Sequence, residues 1–152
     1  MGMLPRRVKI PEGLRVLPDG SWQIGEEAVA HEASLRYFKE HLRFEEDGAF
    51  VVDGGKRVAV AVDGPPFEVR ALDFSKDSEQ LRAVLDDGSS EELADDGLRM
   101  SHDTGRFECD VRGGRARAVL SRAAHDALLD NAEEADGRFY VRVGKRLIPI
   151  QT

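Results

Sequence analysis

A phrase of eleven residues occurs twice in this chain. Asp47-Gly48-Ala49-Phe50-Val51-Val52-Asp53-Gly54-Gly55-Lys56-Arg57 returns without a gap as Asp136-Gly137-Arg138-Phe139-Tyr140-Val141-Arg142-Val143-Gly144-Lys145-Arg146, an offset of 136 − 47 = 89. A repeat that keeps Asp-Gly, an aromatic, a valine, a glycine and a Lys-Arg pair in register marks a duplicated structural unit. Its chemistry is that of turns, not of a reaction. Each phrase reads as a hairpin with glycine at the third loop position, where a left-handed backbone is needed. A three-residue loop Asp53-Gly54-Gly55 predicts Phe50, Val52, Val58 and Val60 on one buried face, and loop Arg142-Val143-Gly144 groups Phe139, Val141 and Leu147. A weaker echo, Gly20-Ser21-Trp22 and Gly105-Arg106-Phe107, lies 105 − 20 = 85 residues apart.

Helical spacing of Leu35, Phe38 and Leu42 predicts a helix over 31–42 before the first phrase. Before the second, Ser121 is placed to cap a helix that turns Ala124 and Leu128 inward. Between them, Phe67, Val69 and Ala71, with Leu72 and Phe74 beyond, alternate with polar residues as a strand with one wet face does. Ser75 to Ser78 reads as a polar connection, Leu81 to Leu85 as a return strand, and Ser89 to Gly97 as a short helix or ordered acidic loop. A turn at Gly113-Gly114 pairs Val111 with Ala116, Asp110 with Arg117 and Cys109 with Ala118. That register buries Phe107, Cys109, Val111, Ala116, Ala118 and Leu120 together, and makes Cys109 an inert core thiol.

The expected fold is therefore α+β. Two small lobes, each a helix packed on an antiparallel hairpin-rich sheet, are related by the internal repeat. An extended N-terminal leader takes residues 1–17, the first helix-and-hairpin lobe 18–62, and a larger meander, helix and hairpin lobe 63–152.

A net charge of −7 argues against sequence-independent binding to nucleic acid or anionic lipid, which needs summed positive charge. The single cysteine excludes an internal disulfide and a cysteine-cluster zinc site and suits a reducing cytoplasm. The amino terminus carries Arg6, Arg7 and Lys9 between Pro5 and Pro11 and has no apolar signal core, so the expected localisation is cytoplasmic.

Arg112, Arg115 and Arg117 beside two glycines form the most suggestive constellation for an anion, since guanidinium forks match phosphate or carboxylate oxygens. Arg117 opposite Asp110 also reads as a cross-strand ion pair, and Arg112 and Arg115 as solvated tip charges. Lys56-Arg57 and Lys145-Arg146 either direct paired positive charge into a cleft between the lobes or protect the hairpin edges. His31, His41, His102 and His125 lack metal-ligand spacing, and no metal or cofactor is expected. Ser101-His102-Asp103 has hydrolase residue types, but contiguous side chains diverge and cannot form a relay. The doublets Glu45-Glu46, Asp86-Asp87 and Asp95-Asp96 read as solvated turns.

Val111-Arg112-Gly113-Gly114, followed by Leu120-Ser121-Arg122-Ala123 and the helix to Leu129, resembles a stretch of the bacterial family Domain of Unknown Function 1285. Asp19-Gly20-Ser21-Trp22, Phe44-Glu45-Glu46-Asp47-Gly48 and Val60 to Phe74 follow that family's order of features, so the resemblance covers most of 18–150. It implies two α+β lobes of repeated motifs, a nucleotide-like ligand and a signalling role, with no catalytic residues to carry over. The expected function is thus a non-enzymatic binding module for a small anionic ligand in the inter-lobe cleft, contacted by Arg112, Arg115, Lys56 and Lys145. The alternative is a protein-interaction or homodimerisation module without a small ligand.

Overall fold

The duplication exists in three dimensions, but its period through the helix and the hairpins after it is 90 residues rather than 89. The computed structural model describes residues 9–75 and 79–152; Arg6, Arg7 and residues 76–78 of the polar connection lie outside the described residues. The first unit is β1 (Leu14–Val16), β2 (Trp22–Ile24), β3 (Glu27–Ala28), α1 (Glu32–Glu40), β4 (Leu42–Glu45), β5 (Gly48–Asp53) and β6 (Lys56–Val62). Three strands follow, β7 (Phe67–Asp73), β8 (Arg82–Leu85) and β9 (Ser90–Glu92). The second unit is β10 (Leu98–Met100), β11 (Phe107–Val111), β12 (Ala116–Leu120), α2 (Arg122–Asp130), β13 (Ala132–Ala135), β14 (Arg138–Val143) and β15 (Arg146–Ile150). Both units run three strands, helix, three strands. The fold is α+β and mostly sheet.

One sheet has the order β3-β2-β1-β6-β5-β4, a second β10-β11-β12-β7-β8-β9, and a third β13-β14-β15. The first two are not purely antiparallel, because β1 runs parallel to β6 and β12 to β7. A parallel bridge between Arg99 and Gln151 sets the end of the second unit beside its first strand, as β6 lies beside β1. Leu14–Val16, expected in the leader, is the middle of the first sheet.

Hairpin register explains the period. Asp53 pairs with Lys56 across Gly54-Gly55, and Val143 with Arg146 across Gly144-Lys145, so both loops have two residues rather than three. Gly54 (φ +61°) and Gly144 (φ +59°) occupy the first turn position, which requires a left-handed backbone. Equivalent positions are then Gly54 and Gly144, 144 − 54 = 90. A one-residue shift moves every side chain to the opposite face. Accordingly Ala49, Val51, Val58 and Val60 share the inner face, while Phe50 and Val52 lie on the outer one, where the Arg57 guanidinium sits 3.5 Å from the Phe50 ring centroid. In the second hairpin Val141, Val143, Ile148 and Ile150 are buried, whereas Phe139 and Leu147 are exposed. The expected buried groupings of Phe50 with Val52 and of Phe139 with Leu147 are thereby corrected.

The echo at offset 85 is structural. Gly20 (φ +90°) and Gly105 (φ +70°) close the turns that set Trp22 opposite Val16 and Phe107 opposite Met100. Each aromatic meets the following helix, Trp22 on Phe38 at 6.0 Å and Phe107 on His125 at 4.8 Å between ring centroids. Ser121 caps α2 as expected, its hydroxyl accepting the Ala124 N–H at 3.2 Å. His31 does the same for α1 through the Ser34 N–H at 3.3 Å.

The β11–β12 pairs form as read, and all six residues expected on the inner face are buried. Its tip differs: Arg112 takes a left-handed φ of +55° in a 3-10 turn, so four residues rather than two make the loop. Arg117 bonds Glu108 at 3.1 Å instead of Asp110, which pairs with Arg99 at 2.9 Å. A bulge between Val69 and Ala71 turns Ala71 to solvent and brings Leu72 toward the core. Ser89 to Gly97 contains a strand rather than a helix, because β9 pairs with β8.

Burial pushes the Cys109 thiol up to about 12, with the carboxylates of Asp110 and Glu91 adding to the effect. An aromatic disulfide reagent at pH 8 is expected to find no thiol in the folded protein and one in denaturant. Stability should fall as pH rises from about 9 toward 12, since the unfolded chain ionises first, and Cys109→Ala should remove that component of a pH-dependent melt.

Candidate functional site

The turn after β8 holds two nearly buried carboxylates, Asp86 and Asp87, each paired with a distant cation. Asp86 accepts the Glu68 N–H at 2.9 Å and pairs with the Lys39 ammonium of α1; the two side chains are 4% and 12% exposed. Asp87 accepts the Ser89 N–H at 2.9 Å and pairs with Arg112. Arg112 also donates to Glu91, from Nη1 at 3.1 Å and from its backbone N–H at 2.8 Å, and its guanidinium lies 4.8 Å from the Phe67 ring centroid. The doublet expected to be a solvated turn is instead a double tether. One carboxylate holds the first unit's helix, and its neighbour holds the second unit's hairpin loop.

Beside that turn a cleft of about 370 Å³ opens between α1 and the β7–β8 hairpin. From α1 come Glu32, Leu35, Arg36 and Lys39; from the other wall come Arg70, Leu85, Asp86 and Gly88. Spacing i, i+3, i+4, i+7 places the four helical residues on one face. Arg36 bonds Glu40 at 2.8 Å and Arg70 lies 3.4 Å from Glu68, both pairs open to solvent. A Cβ on Gly88 (φ +89°) would stand 3.0 Å from Arg36 Nη2, so glycine here gives the guanidinium room to lie across the turn. The mouth is thus lined by two arginines with exchangeable partners above a fixed Lys39–Asp86 pair.

A second cleft, about 770 Å³, is walled by Phe44, Glu45, Glu46, Gly48, Ala49, Val60 and Val62 of the first unit and by Arg115 from the β11–β12 loop. Arg115 donates to the Phe44 carbonyl at 3.3 Å.

No protein-family model matches this chain, and no curated protein matches it. Among solved structures, the chain is similar to a DUF1285 family protein from Silicibacter pomeroyi DSS-3. The TM-score is 0.68 at 23% identity, over 93% of this chain and 81% of that one. The chain has the DUF1285 fold. A DUF1285 family protein from Shewanella baltica OS155 is also similar, with a TM-score of 0.58 at 13% identity over 78% of this chain and 91% of that one. The resemblance read from Val111–Gly114 and the helix after Ser121 is borne out by that architecture. No helix among the described residues is long and apolar enough to cross a membrane.

Within this DUF1285 fold the four basic residues singled out in the sequence fall in different places. Arg112 is bound to Asp87 and Glu91 as a tether, and Arg115 stands at the mouth of the larger cleft. Lys56 and Lys145 sit at the ends of separate hairpins and line neither cleft. The period of 90 also makes them non-equivalent: Lys56 corresponds to Arg146, and Lys145 to Gly55. Arg57 pairs with Glu45 and Asp47, and Arg146 with Asp95 at 2.6 Å. Ser101 to Asp103 lie in the β10–β11 turn, with His102 exposed. No group of three or more potential metal ligands occurs among the described residues. Sequence reading missed Arg36, Lys39 and Arg70. The helical spacing of the first two was the available signal, but nothing local announces the wall opposite them.

Proposed function

We propose that this chain is a non-enzymatic binding module for a small anionic, nucleotide-like ligand held in the cleft between α1 and the β7–β8 hairpin. One observation carries the reading: Arg36, Lys39 and Arg70, from two separate parts of the fold, converge on a single cleft. Solvent-exposed ion pairs such as Arg36–Glu40 and Arg70–Glu68 add little to stability, so an incoming phosphate can take over either guanidinium at small cost. The buried Lys39–Asp86 pair keeps the floor in place while those arms move.

A thermal-shift screen against nucleotides, sugar phosphates and small dicarboxylates at fixed salt should give a selective, saturable rise in melting temperature. In the double variant Arg36→Ala, Arg70→Ala, affinity for the best ligand is expected to fall by at least the loss of one charge-assisted hydrogen bond. That is about 1.5–3 kcal/mol, or about 10- to 150-fold in Kd. Unchanged affinity in that variant rejects this cleft.

A protein-interaction or homodimer module is the competing reading, favoured by large apolar side chains left open on the second unit, Leu129 at 52%, Phe139 at 46% and Leu147 at 41% exposure. Mass that rises with concentration in light scattering, together with a flat ligand screen, selects it.

A further inference from the structure

The larger cleft is one of a pair. Gly48, Ala49, Val60 and Val62 line it, and the positions 90 residues later, Arg138, Phe139, Ile150 and Thr152, line a groove of about 410 Å³ at the matching end of the second hairpin. Register confirms the match, since Ala49 faces Val60 as Phe139 faces Ile150. The two differ where it counts. A phenyl ring and a guanidinium project from positions 139 and 138, whereas the first unit has a methyl group and a hydrogen at 49 and 48. The first unit therefore leaves open the space that an aromatic side chain claims in its repeat.

A cation stands at that opening. Arg115 is exposed, and among the described residues its guanidinium makes one hydrogen bond, to the Phe44 carbonyl at 3.3 Å, and no carboxylate pair, whereas Arg112 three residues earlier holds two. Of the acids on the rim, Glu45 is committed to Arg57, and Glu46 adds one negative charge that disfavours multiply charged phosphates. An apolar wall, a guanidinium fork with no carboxylate partner among the described residues and a partly acidic rim suit a monoanion with an aromatic body.

We propose that this slot binds a small aryl carboxylate. Its ring takes the place that Phe139 marks in the second unit, against Ala49, Val60, Val62 and Phe44, and its carboxylate is received by Arg115. The site is separate from the α1 cleft and does not depend on it.

The test is calorimetric titration of 3-phenylpropionate into the full chain at fixed salt. Saturable one-to-one binding is expected, with inorganic phosphate failing to compete. Ala49→Phe, which installs the side chain the second unit carries there, should abolish binding while leaving the melting temperature near that of the parent. Arg115→Gln should weaken 3-phenylpropionate by about ten-fold or more and leave the neutral 3-phenylpropanamide unaffected. Absence of saturable binding by the parent protein overturns the proposal, as does undiminished binding in a folded Ala49→Phe. If Ala49→Phe does not fold, equal loss of acid and amide in Arg115→Gln overturns it, and loss of the acid alone supports it.

Discussion

Replacing Trp22 with alanine is expected to destabilise the fold by about 3–5 kcal/mol, the usual cost of removing a buried aromatic. The ring is 2% exposed, stacks on Phe38 with planes 22° apart, and donates its Nε1–H to the Pro66 carbonyl at 3.0 Å. Pro66 belongs to the segment between β6 and β7, so this one side chain joins β2, α1 and the passage out of the first unit. The same junction is closely packed at Gly64, where a Cβ would stand 2.1 Å from the Leu17 carbonyl oxygen. Collapse around the missing indole is therefore limited, which puts the expected cost in the upper part of the range. Trp22→Phe separates the contributions: it keeps most of the apolar area and leaves the buried Pro66 carbonyl without its donor, for about 1–3 kcal/mol. Urea melts read both as a shift in midpoint at constant slope. A Trp22→Ala cost near that of an ordinary surface substitution would mean that the two units meet without this anchor.

The architecture was legible where local chemistry and long-range pairing point the same way. In β11 and β12, strict alternation on both sides of Gly113-Gly114 leaves one register that buries Phe107, Cys109, Val111, Ala116, Ala118 and Leu120 together, and that register forms. The two repeated hairpins failed by one residue for an instructive reason. Aligning Lys56-Arg57 with Lys145-Arg146 equates Gly55 with Gly144, but the left-handed turn position belongs to Gly54 and Gly144. Adjacent apolar residues, Val51 and Val52 in β5 and Leu147 and Ile148 in β15, make either face plausible on hydrophobicity alone, so nothing in those strands exposed the slip. Charge was harder still. Asp86 and Asp87 read as a wet turn because their partners, Lys39 and Arg112, lie 47 and 25 residues away. A carboxylate's burial depends on such distant cations, whereas a turn's glycine depends only on its own backbone. For the same reason the α1 wall of the candidate cleft could be read from helical spacing, and Arg70 opposite it could not.

Asp86→Ala is expected to cost about 3 kcal/mol or more, because it leaves the Lys39 ammonium without its counter-charge at 12% exposure and takes the acceptor from the Glu68 N–H. The double variant Asp86→Ala, Lys39→Ala should recover part of that loss, since the stranded charge is gone; a coupling of about 0.5–3 kcal/mol in the cycle marks a genuine pair. Additive single effects would instead reduce Asp86 to a solvated turn residue. Ligand binding should move the other way. With Asp86 absent, the wall of the α1 cleft loses a negative charge and Lys39 becomes free to meet an anion, so any anion bound there should bind more tightly to the folded fraction of Asp86→Ala than to the parent. Stability and anion affinity changing in opposite directions on removal of one carboxylate is the signature of a residue that holds two parts of the fold together by occupying a cation the ligand would otherwise use. If affinity falls along with stability, the cleft owes its shape to Asp86 more than its charge, and Lys39 acts only as a strut between α1 and the β8 turn.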